Sequence, residues 1–162
     1  MTGSPWTNDD GLNVLFGTDK ALVAKEGATA SLDSEREIVI ELSGADLPTT
    51  TDGETFINTV PMAYIPNGAL LRSATLIVTT AFVGATATLS LGTAQNDGTT
   101  IDADGIDATI AITAIDAVGD EIACDGALIG TKVAADSYIT ATVGTANITA
   151  GEGKLVIKYI VE

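Results

Sequence analysis

The segment Arg36-Glu-Ile-Val-Ile-Glu-Leu42 decides the fold of this chain. Its apolar residues Ile38, Ile40 and Leu42 alternate with Glu37 and Glu41. Successive side chains of a β-strand point to opposite faces, so this two-residue period predicts a strand with one buried and one solvated face. Strands of this kind are typical of antiparallel sheets that are packed on one side only.

The same period recurs along the chain, in Leu12, Val14 and Phe16 and again in residues 155–161. Further strand-like runs cover 59–65, 71–82, 86–91 and 138–143, and turn signals such as Pro66-Asn-Gly68 and Asn96-Asp-Gly98 separate them. Many short strands with regular turns predict an all-β fold, an antiparallel β-sandwich that is jelly-roll-like.

One segment, about residues 107–118, is ambiguous between helix and strand. Asp107 could cap a helix, alanine is frequent, and Gly119 follows where a helix would end. Ile110 and Ile112 are β-branched and favour a strand instead. We expect at most one short helix in the chain, and we place it here.

The first ten residues are polar and contain Pro5, which predicts an extended N-terminal arm (1–10) before a single β-sandwich domain (11–162). Trp6 and Phe16 are the candidate interface residues, because an exposed aromatic side chain near a terminus usually finds a pocket. That pocket can belong to the chain itself or to a neighbouring subunit. The core is poor in large side chains, so we also expect a homo-oligomer that buries more surface between subunits.

Charge excludes several classes of partner. The 59 residues from Ser73 to Thr131 contain no Lys or Arg but eight carboxylates, and the whole chain has a formal net charge of −15. Such a chain repels nucleic acid and anionic membranes. The sequence has no run of about 18 apolar residues to span a bilayer, and its start lacks the basic and apolar regions of a secretory signal.

The residues needed for common catalytic sites are missing. The chain has no His and a single Cys, Cys124, so Ser-His-Asp and Cys-His sites are excluded. Paired carboxylates could cleave glycosides, but the seven aromatic residues of the chain provide little of the platform that sugars stack on. We therefore expect neither an enzyme nor a cofactor.

The acidic segment Asn96-Asp-Gly-Thr-Thr-Ile-Asp-Ala-Asp-Gly-Ile-Asp107 is the best candidate for a metal site. Ca²⁺ prefers six to eight oxygen ligands, and the weak candidates are Asp97, Asp102, Asp104 and Asp107. Counted from Asp102, however, the glycine and the final Glu of an EF-hand are not in place. Asp and Asn are also ordinary turn residues, so we expect no metal to be bound.

Four phrases together resemble small structural proteins of tailed bacteriophages, the capsid decoration or cement proteins. They are Asp10-Gly-Leu-Asn-Val-Leu-Phe-Gly17, Ile65-Pro-Asn-Gly-Ala-Leu-Leu71, Thr100-Ile-Asp-Ala-Asp-Gly105 and Thr149-Ala-Gly-Glu-Gly-Lys-Leu-Val-Ile-Lys-Tyr159. The resemblance covers nearly the whole chain, although no single phrase is diagnostic.

The resemblance implies a β-sandwich protomer that forms trimers, assembles in the host cytoplasm and binds the major capsid protein lattice on the capsid exterior. It implies no catalytic residue. Two alternatives remain open at this point. One is a head-fibre or tail-fibre adhesin module that binds host-surface glycans, and the other is an extracellular β module stabilised by Ca²⁺.

Overall fold

The computed structural model describes residues 6–7, 13–14, 35–57 and 64–161. The chain divides into two compact units, Met1–Leu32 and Asp33–Glu162. In the first unit, β1 (Trp6–Thr7) pairs antiparallel with β2 (Asn13–Val14). The predicted boundary between arm and domain, after residue 10, lies outside the described residues and stays a prediction.

The regular secondary structure of the second unit consists almost entirely of strands. They are β3 (Glu35–Ser43), β4 (Thr55–Phe56), β5 (Tyr64–Ile65), β6 (Leu70–Val83), β7 (Thr88–Ala94), β8 (Thr100–Ala111), β9 (Glu121–Ala123), β10 (Ser137–Gly144) and β11 (Ala150–Ile160). Within the described ranges, no helix is long and apolar enough to cross a membrane.

Two antiparallel sheets pack face to face. Sheet I has the strand order β3-β11-β6-β9, and sheet II has the order β4-β10-β7-β8, with β5 also paired to β10. The pairs are nested along the chain: β7 with β8, β6 with β9, β4 and β5 with β10, and β3 with β11. The chain from β3 to β11 therefore folds back on itself as one long ribbon that wraps across both sheets, which is the jelly roll predicted from the sequence.

The core lies between the sheets. Ile38, Ile40 and Leu42 are buried, as their alternation predicted, while Val39 between them is 52% exposed. Leu155 of sheet I and Leu91 of sheet II are fully buried in the same apolar cluster. Each sheet therefore contributes one apolar face to a common core.

The prediction of at most one short helix holds for the described residues, but no α-helix spans 107–118. β8 continues through Ala111, and only a 3-10 turn, Ile112–Ala114, follows it. Ile110 is buried opposite Leu89 of β7, and Ile112 is buried as well. Cross-strand packing of β-branched side chains is stronger than the helix propensity of the alanines and the N-cap preference of Asp107.

β8 also replaces most of the loop predicted between Asn96 and Asp107. On β7, Leu91 and Thr93 are two residues apart. Their partners on β8, Asp107 and Asp102, are five residues apart, so β8 bulges between them. The surplus residues of this bulge bond to the segment after β9, where the Gly126 N–H donates to the carbonyl oxygen of Ile106 at 2.9 Å. The bulge is thus held in place from outside its own sheet.

Candidate functional site

The four weak metal-ligand candidates, Asp97, Asp102, Asp104 and Asp107, occupy three different environments. Asp97 lies in the exposed turn between β7 and β8, where its Oδ1 accepts a hydrogen bond from the Thr99 N–H at 2.9 Å. This bond lowers the pKa of Asp97. Asp97 therefore does what Asp commonly does in a turn, which is to bond its own backbone two residues on.

Asp102 and Asp104 lie on β8 near Glu54, a residue that the sequence did not single out. Burial raises the pKa of Asp102, and the carboxylates of Asp104 and Glu54 raise it further. Glu54 accepts hydrogen bonds from the hydroxyls of Thr140, at 2.6 Å, and of Thr100. Glu54 therefore ties the segment before β4 to β8 and β10.

No three acidic or Cys side chains in the part of the chain that the structure describes are arranged to hold a metal ion. The absence of a metal site nevertheless stays a prediction, which thermal melts with and without Ca²⁺ would test.

Asp107 lies apart from the other three, in the interior between the sheets. Its side chain interacts with the thiol of Cys124, which follows β9 of sheet I. The Cys124 Sγ itself donates to the carbonyl oxygen of Ile122 at 4.0 Å. Both residues are buried. Burial raises the pKa of Asp107 and, together with the Asp107 charge, raises the pKa of Cys124 to about 12. A thiol in that state is neutral near pH 7, so Cys124 is an inert core residue.

The two candidate interface residues belong to the first unit. Trp6 lies on β1 opposite Val14, in a short antiparallel pair. Phe16 lies outside the described residues. Their role at an interface therefore stays a prediction.

An aromatic cluster on the outer face of sheet II was missed by the sequence analysis. The rings of Tyr64 and Tyr138 stack with centroids 5.2 Å apart, and Phe56 meets Tyr138 edge-on at 6.3 Å. Tyr138 is opposite Tyr64 in the β5–β10 pair. The period of residues 138–143 predicts that Tyr138 points away from the core, but only the register between strands reveals its aromatic neighbours.

The outer face of sheet I has a different character. Val39 lies opposite Val156, and an ion pair flanks this apolar row on each side. Lys154 Nζ lies 3.5 Å from Glu41, and Lys158 Nζ lies 3.8 Å from Glu37. Exposed pairs of this kind contribute about 0.2–1 kcal/mol each. They help to fix the register of β3 against β11 and keep this broad face polar.

Comparison with known proteins gives similarity of fold rather than of sequence. No family model and no curated protein matches the chain. Three solved structures of phage capsids contain chains of similar fold. A chain of the cyanophage Pam1 capsid asymmetric unit superposes with a TM-score of 0.56 at 14% identity, over 90% of this chain and 98% of that one.

A chain of the acid-stable capsid of the Helicobacter pylori bacteriophage KHP30 superposes with a TM-score of 0.53 at 18% identity, over 79% of this chain and 88% of that one. A chain of the Ralstonia phage GP4 capsid superposes with a TM-score of 0.52 at 12% identity, over 79% of this chain and 84% of that one. The resemblance to phage structural proteins is thereby confirmed at the level of the fold: the chain shares its jelly roll with chains of three phage capsids.

Proposed function

We propose that this protein is a virion structural protein that decorates the outside of a tailed-phage head. In this role it binds the major capsid protein lattice as a homotrimer, stabilises the shell and performs no catalysis. The observation that carries the proposal is the shared fold, which extends over 84–98% of the length of chains from three phage capsids.

Charge supports the exterior position. With a net charge of −15, the chain would be repelled by the genome packed inside a head, whereas the outer surface requires only contacts with protein. The structure adds that sheet I and β8 also carry acidic side chains on their exposed sides, including Glu37, Glu41 and Asp104. A cation-rich groove for a nucleic-acid strand is not present among the described residues.

Multivalency explains how such a protein would hold a shell together. A trimer that touches several capsid subunits binds through linked contacts, so modest single contacts add up to strong retention. We assign one of these contacts to the arm, residues 1–10, because Trp6 can bury a large area and Pro5 reduces the entropy lost on ordering.

The experiment uses purified heads that lack the protein and the full-length chain added back. We expect stoichiometric co-sedimentation and rupture at a higher temperature than for undecorated heads. Trp6→Ala should weaken retention while the far-UV circular dichroism spectrum stays unchanged. Light scattering should report three times 16.4 kDa for the free protein. A chain that never co-sediments with heads would overturn the proposal, and binding to host cells without heads would favour a fibre adhesin instead.

A further inference from the structure

A groove of about 450 Å³ opens at the end of the jelly roll where three connections meet. These are the turn from β5 to β6, the turn from β7 to β8, and the segment between β9 and β10. Asn67, Gln95, Asn96 and Asp136 line the groove together with the ring of Tyr138 and two alanines. Its size is at the lower end of the ~300–1,000 Å³ of small-molecule sites.

The walls of the groove are tied to each other by hydrogen bonds. The Asn67 N–H donates to Asp136 Oδ1 at 2.8 Å, and the Gly68 N–H donates to the carbonyl oxygen of Val133 at 2.9 Å. On the aromatic side, Tyr138 is braced by its stack with Tyr64. A site held in this way loses little conformational entropy when it binds a ligand.

We propose that this groove binds a neutral oligosaccharide. Side-chain amides both donate and accept hydrogen bonds, as sugar hydroxyls do, and Asn67, Gln95 and Asn96 supply three of them. Asp136 keeps its second carboxylate oxygen as an acceptor. The π-face of an aromatic ring is negative and attracts the C–H groups on one side of a pyranose. Tyr138, the aromatic residue that lines the groove, supplies that surface.

The negative charge of the groove and of the whole chain favours a neutral sugar over an anionic one. Asp136 lies in the groove, and the whole chain carries a net charge of −15. An anionic sugar would have to approach against this field, whereas a neutral one would not. The groove is also too polar for an apolar ligand, because four of its lining side chains are amides or carboxylates.

The test is a titration of the purified full-length chain, without heads, followed by two-dimensional amide NMR. The probes are maltotriose, lactose and chitotriose as neutral sugars, and sialyllactose as an anionic one. We expect saturable shifts confined to amides near residues 67, 95–96 and 134–138 with at least one neutral probe, and weaker binding of sialyllactose than of lactose.

Variants then separate the groove from the rest of the surface. Asn96→Ala and Tyr138→Ala should each weaken binding of the active probe at least about tenfold, a loss of ~1.4 kcal/mol. Asn147→Ala is the matched control, because Asn147 is an exposed amide that follows the opposite end of β10. Its affinity should equal that of the wild type, and all variants should keep the dispersed spectrum of the folded chain.

Three results would overturn the proposal: no saturable shift with any neutral probe at millimolar concentration, full affinity in both groove variants, or equal binding of sialyllactose and lactose. None of these results depends on capsids. The proposed decoration of a phage head can therefore hold or fail independently of this inference.

Discussion

The buried carboxyl group of Asp107, on β8, interacts with the buried thiol of Cys124, which follows β9. Asp107 is only 6% exposed and Cys124 only 7%. The pair links β8 of sheet II to the end of β9 in sheet I. An ionisable group in such a place makes the stability of the fold depend on pH.

Asp107→Asn should stabilise the protein at neutral pH. Burial raises the folded-state pKa of Asp107, so the stability that depends on its neutral form is present at low pH and is lost as pH rises through that pKa. Asparagine is neutral at every pH and has nearly the same size and shape as aspartate. The variant should melt above the wild type at pH 7, and the difference should vanish near pH 3.

Asp116→Asn, a change at an exposed carboxylate, is the control and should leave the melting temperature nearly unchanged at both pH values. An Asp107→Asn variant that melts below the wild type at pH 7 would show that the buried charge is needed rather than tolerated.

Cys124 should resist alkylation as long as the protein is folded. Its pKa is raised to about 12, first by burial and then by the charge of Asp107, and the thiolate is the reactive form. At pH 8, iodoacetamide should label Cys124 only at the rate at which the protein unfolds, and urea should accelerate labelling strongly. Rapid labelling in native buffer, measured by intact mass, would contradict the buried placement.

Removal of calcium should not affect stability. The four candidate ligands occupy three separate environments, and no three acidic or Cys side chains among the described residues are arranged to hold a metal ion. Thermal melts in EDTA and in millimolar Ca²⁺ should coincide. A ligand at 100 times its dissociation constant would add ~2.7 kcal/mol, so a clear rise in melting temperature with Ca²⁺, abolished by Asp104→Ala, would revive the metal site.

Adjacent residues on β11 should differ sharply in their effect on stability. Leu155 is fully buried between the sheets, whereas its neighbour Val156 points outward beside Val39. Leu155→Ala should lower the free energy of unfolding by about 2–5 kcal/mol. Val156→Ala should lower it by roughly 1 kcal/mol or less. Urea denaturation measures both, and equal losses would contradict the assignment of the inner face.

The strands that the sequence predicts correctly are those with a clean two-residue period, above all β3 and β11. In each, the alternation of apolar and polar side chains gives the strand, its buried face and its solvated face without knowledge of any partner. The turn at Asn96-Asp-Gly98 was equally predictable from the sequence, because Gly98 has a φ of +87°, which glycine tolerates best.

β8 could not be predicted in the same way, because its bulge depends on residues far away in the chain. A Cβ at Gly92 on β7 would lie 2.3 Å from the carbonyl of Ala103, so the bulge packs directly on a position that only glycine can occupy. Nothing local to either residue signals this contact. The polar Asp-rich composition therefore suggested a loop where a strand runs.

The same distinction applies to the candidate sites: contacts between near neighbours were predictable, and contacts between distant segments were not. The turn role of Asp97 was accessible from the sequence, since it involves only its near neighbour Thr99. The Tyr64–Tyr138 stack and the contact of Asp107 with Cys124 were not accessible, because each joins residues from strands distant in sequence. Their registers are set by the global wrapping of the ribbon rather than by any short motif.

The most direct test of the central claim is a cryo-EM reconstruction of the phage particles that contain this chain, with the copy number measured by quantitative mass spectrometry. We expect jelly-roll density in threefold clusters on the outer surface of the head, in a fixed ratio to the major capsid protein. Density confined to the tail or to the interior of the shell, or the absence of the chain from purified particles, would contradict it.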